Sequence, residues 1–177
     1  MSEYSEPLHS DLTRRSKISR FRPAVVIGIP LLAILFQVYV PRFLTYLSYL
    51  ELPLLVTVFF ALMRRSPVFG TFVGAGIGLA QDSLEHQPLG MYGIVKTLVG
   101  YFAASVSLRF DVENPFVRFL LGFFFFFFHQ FFYWVLSRAL LGQQVDFLPE
   151  RTLVLGLLNA AVAVPLYHLL DKLKVTG

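Results

Sequence analysis

Cysteine is absent from this 177-residue chain, which excludes disulfides, thiolate nucleophiles and cysteine-ligated zinc or iron–sulfur centres. Charge is scarce as well: 15% of the residues are Asp, Glu, Lys or Arg, where an ordinary soluble domain carries about a quarter. Such a chain has too little polar surface to cover a globule. Its 56% of hydrophobic residues and mean hydropathy of +0.65 point to a bilayer as solvent. The net charge of +4 is too sparse to be a nucleic-acid footprint. Catalytic signatures are missing too: there is no Gly-x-Ser-x-Gly, no His-Glu-x-x-His and no phosphate loop, and the four histidines are scattered without metal-ligand spacing. Neither an enzyme nor a cofactor or metal protein is expected. No internal repeat is visible.

What the sequence has in abundance is apolar runs able to cross about 30 Å of hydrocarbon. Six occur, centred on Ala24 to Val40, Leu47 to Met63, Val68 to Leu84, Leu89 to Leu108, Phe116 to Leu136 and Thr152 to Leu170. They are separated by turn or charge chemistry such as Arg64-Arg65-Ser66-Pro67 and Glu85-His86-Gln87-Pro88. The expected fold is an all-α polytopic membrane protein with six transmembrane helices. Residues 1–23 read as a cytoplasmic polar and basic tail, 24–171 as a single six-helix transmembrane domain, and 172–177 as a short cytoplasmic tail. The first stretch is too long and polar before its apolar run to be a cleaved signal peptide.

Basic residues divide unevenly between alternate sides. Arg14, Arg15, Lys17, Arg20, Arg22, Arg64, Arg65, Arg109, Arg118, Lys172 and Lys174 fall on one side, against Arg42, Arg138 and Arg151 on the other. Positive residues remain in the cytoplasm, so both termini are expected to face inward.

Within the spans, Gly70, Gly74 and Gly78 recur every fourth residue and form a shallow ridge that another backbone can approach. Gly90, Gly93 and Gly100 follow along the next span, after a turn at Pro88-Leu-Gly90, so a tight hairpin of the third and fourth spans is expected. Gly76-Ile-Gly78 is too incomplete for a nucleotide loop. Three charges sit at or inside the hydrocarbon boundary: Glu51, Asp82 and Lys96. Intramembrane charge is costly and turns toward the bundle to find a partner, so they form an expected intramembrane polar cluster. An Asp82–Lys96 ion pair is expected within it. Glu51-Leu-Pro53 also suits a helix start. The run Phe123 to Phe128 must point all around its helix, toward lipid and neighbour alike. His129, Gln130, Gln37, Asn159 and His168 read as interhelical hydrogen-bonding groups.

The order of motifs from Glu51 to Leu136 resembles the rod shape-determining protein MreD family. The elements are Glu51-Leu-Pro-Leu-Leu-Val, Ala61-Leu-Met-Arg-Arg-Ser-Pro-Val-Phe-Gly70, Gly78-Leu-Ala-Gln-Asp82, Pro88-Leu-Gly-Met-Tyr-Gly-Ile-Val-Lys-Thr-Leu-Val-Gly-Tyr101 and Asn114-Pro-Phe-Val-Arg118. The resemblance implies a non-catalytic inner-membrane scaffold of the bacterial elongation machinery. Such a protein would bind the bitopic protein MreC and help link MreB filaments to the glycosyltransferase RodA and its penicillin-binding transpeptidase. A homodimer within the complex is compatible with that role. The family's fold is also similar to the substrate-binding subunits of energy-coupling-factor transporters. This implies an alternative reading, a membrane subunit that binds a small, vitamin-like solute near Asp82 and Lys96.

Overall fold

The computed structural model describes residues 19–175. Most of the expected polar tail, with Arg14, Arg15 and Lys17, lies outside the described residues, as does Gly177. Six α-helices occupy the described residues: α1 Pro23–Tyr39, α2 Leu52–Arg64, α3 Pro67–Leu84, α4 Met91–Ser107, α5 Pro115–Leu141 and α6 Pro149–Asp171. Proline stands in the first turn of all but α4, where its missing N–H costs nothing and its fixed φ suits the helix. Side chains cap two of these starts: Phe69 N–H donates to Ser66 Oγ at 3.3 Å, and Phe116 N–H to Asn114 Oδ1 at 2.9 Å. Gly90 opens α4 at φ 100°, a left-handed conformation that glycine adopts without strain.

The helices run alternately between two faces of the bundle. On the basal face, Phe21 and Lys174 form an antiparallel bridge, Val175 N–H donates to the Arg20 carbonyl at 2.9 Å, and Ser19 N–H donates to the Met63 carbonyl at 3.2 Å. Both described ends and the α2–α3 turn therefore share this face, together with the α4–α5 turn. The apical face carries the segment between α1 and α2, with 3-10 turns at Val40–Arg42 and Thr45–Tyr49, the α3–α4 turn and the α5–α6 loop. Arg20, Arg22, Arg64, Arg65, Arg109, Arg118, Lys172 and Lys174 gather at the basal face, and Arg42, Arg138 and Arg151 at the apical one.

Helix α2 is the axis of the bundle. Every residue from Pro53 to Met63 is buried, and the helix touches all five others, as a helix apolar on every side must. Large apolar side chains cover the outside instead, among them Ile27 and Leu32 on α1, Phe72 on α3, Phe116 and Phe124 on α5, and Val154 and Leu157 on α6.

The expectation of six transmembrane helices is overturned. Three segments are long and apolar enough to cross a membrane: Pro23–Arg42, Pro115–Leu141 and Pro149–Asp171. Run-counting overstated the rest for separate physical reasons. The second apolar run begins at Leu47, but Thr45–Tyr49 is a 3-10 turn and α2 starts only at Leu52, leaving 13 helical residues. At 1.5 Å per residue that is about 20 Å, short of the hydrocarbon thickness. Helix α3 is diluted by Gly70, Gly74, Gly76 and Gly78 and carries Gln81 and Asp82 in its last turn, while α4 has 17 residues and carries Lys96.

Candidate functional site

The α3–α4 hairpin positions everything polar in the upper bundle. A Cβ on Gly70, Gly74 or Gly78 would collide with the backbone carbonyl of Gly100, Lys96 or Tyr92 respectively, so the two helices touch backbone to backbone. A Cβ on Gly100 would collide in turn with the Gly70 carbonyl, and one on Gly93 would meet the Leu79 side chain at 2.9 Å. Pro88 and Gly90 lie in the turn that makes this approach possible.

Asp82 is completely buried at the top of the hairpin, and its carboxylate is consumed there. Its Oδ2 accepts from Gly90 N–H at 2.9 Å and Gly93 N–H at 3.1 Å, and its Oδ1 accepts from Tyr92 N–H at 3.0 Å. It thus serves as the cap that α4 lacks in its own sequence. The expected Asp82–Lys96 ion pair does not form. Free N–H groups at the positive end of a helix dipole are stronger claimants on a nearby carboxylate than a lysine one turn deeper.

Lys96 turns toward α5 instead. Fully buried, it places Nζ 3.2 Å from His129 Nε2 and 4.4 Å from the centre of the Tyr92 ring. With Lys96 as an ammonium, the contact has Nζ donating to Nε2 of a neutral His129 imidazole. The rings of His129 and Tyr92 stack at 5.8 Å, and those of Tyr92 and Tyr133 at 5.0 Å. Two carboxylates stand near without pairing to Lys96. Burial pushes the Glu51 carboxyl above its ordinary range while the Lys96 charge opposes the rise. Burial raises Glu85 as well, against a hydrogen bond from Gln81 Nε2 at 2.8 Å.

The Glu51 backbone is fixed by a residue 108 positions away. Glu51 N–H donates to Asn159 Oδ1 at 2.8 Å, and Asn159 Nδ2 donates to the Tyr49 and Leu155 carbonyls, each at 2.9 Å. On the basal face, Arg118 Nη1 pairs with Asp171 Oδ2 at 2.6 Å and its Nε–H donates to the Val112 carbonyl at 2.8 Å, while Lys174 pairs with Asp171 at 2.8 Å.

Of the three charges expected to cluster, Glu51 and Lys96 belong to one polar group under the apical face, whereas Asp82 is sealed into the hairpin. His129 makes the interhelical bond expected of it, Asn159 bonds instead to the segment leading into α2 and to its own helix, and Gln37 Oε1 is buried with no hydrogen-bond partner. Tyr92 lay in the Pro88–Tyr101 motif and Tyr133 read as an interfacial aromatic, but nothing in the sequence tied either ring to Lys96 or His129. No group of three His, Cys, Asp or Glu side chains among the described residues could hold a metal ion. Nor does the cluster pair a nucleophile with an oriented base; it is a hydrogen-bonded core with one carboxylate, Glu51, left over.

A family model for the rod shape-determining protein MreD matches residues 19–174, which includes all six helices. Neither the curated proteins nor the solved structures yield a match. The expected likeness to the substrate-binding subunits of energy-coupling-factor transporters therefore has no structural support.

Proposed function

The chain belongs to the MreD family, and from that premise we propose that it binds an MreC-like bitopic protein. With that partner it helps link MreB filaments to RodA and its penicillin-binding transpeptidase. Members of the family are non-catalytic components of the bacterial rod-shape machinery, and this one is a multi-pass protein of the inner membrane. The observation that carries the proposal is the match over residues 19–174, which takes in all six helices. Orientation follows from charge: the basal face, where Arg20, Arg22, Arg64, Arg65, Arg109, Lys172 and Lys174 gather, is the cytoplasmic one.

The test is capture of the tagged full-length chain from native membranes, with its companions identified by mass spectrometry. Recovery of a bitopic coiled-coil protein together with elongation synthases is expected. Recovery of an ATPase pair in their place would contradict the proposal and point to transport.

A further inference from the structure

The apical face holds a cavity of about 370 Å³ between the Thr45–Tyr49 turn, α5, α6 and the loop joining them. Its walls are fixed rather than collapsed. Trp134 Nε1–H donates to the Val145 carbonyl at 2.8 Å, and the Phe147 ring packs on Phe127, Phe131 and Trp134 at 5.7, 6.1 and 5.6 Å. These contacts strap the loop against α5.

Glu51 lines this cavity; its Oε2 has no hydrogen-bond partner, and no ion pair reaches the side chain among the described residues. The bundle nonetheless commits a fully buried asparagine, Asn159, to holding the Glu51 backbone in place. Lys96 gives its hydrogen bond to His129 and stays outside ion-pairing range of Glu51. A half-buried carboxylate in that condition gains from a donor that enters the cavity.

We propose that this cavity is a binding site for an ammonium or guanidinium group. Glu51 supplies the countercharge, Asp146 at the cavity edge a second one, and Tyr133, Trp134 and Phe147 offer aromatic surface to a cation. An anion would meet two carboxylates and one exposed cation, Arg151. A neutral solute would leave Glu51 uncompensated. The volume lies at the lower end of small-molecule pockets, enough for an alkylammonium or one basic side chain. A free amine and a lysine or arginine side chain of another polypeptide share this chemistry. The inference does not depend on the rod-shape reading: either can fail alone.

The test is calorimetric titration of the full-length protein in nanodiscs with n-butylammonium, with n-butanol as the neutral match. The blocked peptide acetyl-Gly-Lys-Gly-amide is titrated in parallel. Saturable binding of n-butylammonium but not n-butanol is expected, weakened about ten-fold or more by Glu51→Gln, since a charge-assisted bond is lost. Arg151→Glu changes an exposed position, leaves folding aside, and should tighten binding several-fold by adding a carboxylate at the cavity edge. Tighter binding of the peptide than of n-butylammonium identifies a polypeptide side chain as the occupant; the reverse order identifies a small amine. Absence of saturable binding to the wild type, binding that survives Glu51→Gln in folded protein, or indifference to Arg151→Glu would overturn the proposal.

Discussion

Helices α3 and α4 meet backbone to backbone, whereas α5 and α6, longer and more apolar, meet through side chains. In the hairpin, Gly70, Gly74 and Gly78 face carbonyls with no side chain between. In the other pair, a Cβ on Gly122 would meet the Ala163 methyl at 3.2 Å and one on Gly156 would meet the Phe123 ring at 3.1 Å. Apolar solvent gives helices no hydrophobic reason to associate, so close packing and hydrogen bonds must do it. The hairpin uses both, since Asp82 hydrogen-bonds across its top. The α5–α6 pair uses neither as fully, and beside it lies the open cavity with its unpartnered carboxylate. One half of the molecule is closed on itself, and the other keeps something to offer.

Substitutions on either side of the molecule test this contrast. The largest effect belongs to Gly74→Leu, which drives a side chain into the Lys96 carbonyl. The cost should reach or pass the upper end of the roughly 1–3 kcal/mol typical of overpacking, read as lost monodisperse yield in detergent. Tolerance at Gly74 would mean the helices can part without harm.

Asp82→Ala comes next. It strips three N–H groups of their acceptor, and a loss of about 2–4 kcal/mol is expected as a lowered thermal midpoint. Asp82→Asn should recover part of it through its remaining oxygen. Lys96→Met should leave that cap untouched, whereas an ion pair would make the two positions respond together in a double-mutant cycle.

Within the phenylalanine run, Phe125→Ala should cost about 3 kcal/mol or more, because the ring is fully buried, and Phe124→Ala under about 1 kcal/mol, because half its surface faces outward. Equal midpoints would place the run in a single environment. The smallest effect is expected at Gly122→Ala: one methyl against the Ala163 side chain should shift the midpoint by no more than about 1 kcal/mol. Gly74→Ala should still disturb the fold measurably.

These outcomes depend on features that were unevenly legible in the sequence. The hairpin could be read from spacing alone, because a four-residue glycine period has a direct geometric meaning on a helix. The charges at Glu51, Asp82 and Lys96 were visible as anomalies, but their partners were not. Asp82 had to be weighed against backbone N–H groups of a helix that Pro88 and Gly90 only announce, and Lys96 against a histidine 33 residues away. Asn159 showed itself as a polar residue in an apolar span, without a hint that its target was the Glu51 backbone. Helix lengths were the weakest reading. Hydropathy continues through Leu47 and Leu50 whether the backbone there is α or 3-10, so a central helix of 13 residues was counted as a full span. The run Phe123 to Phe128 gave no rotation, since six identical residues carry no periodicity; only the structure separates Phe125 from Phe124.

On the proposed function, this chain supports rod shape only while its α3–α4 hairpin stays closed. The most direct measurement is the length-to-width ratio of rod-shaped cells depleted of the native protein and supplied with wild type, Gly74→Leu or Phe124→Ala. Wild type and Phe124→Ala should keep rods, while the empty vector and Gly74→Leu give rounded cells. Rods that persist without the protein, or that Gly74→Leu supports as well as the wild type, would contradict the account.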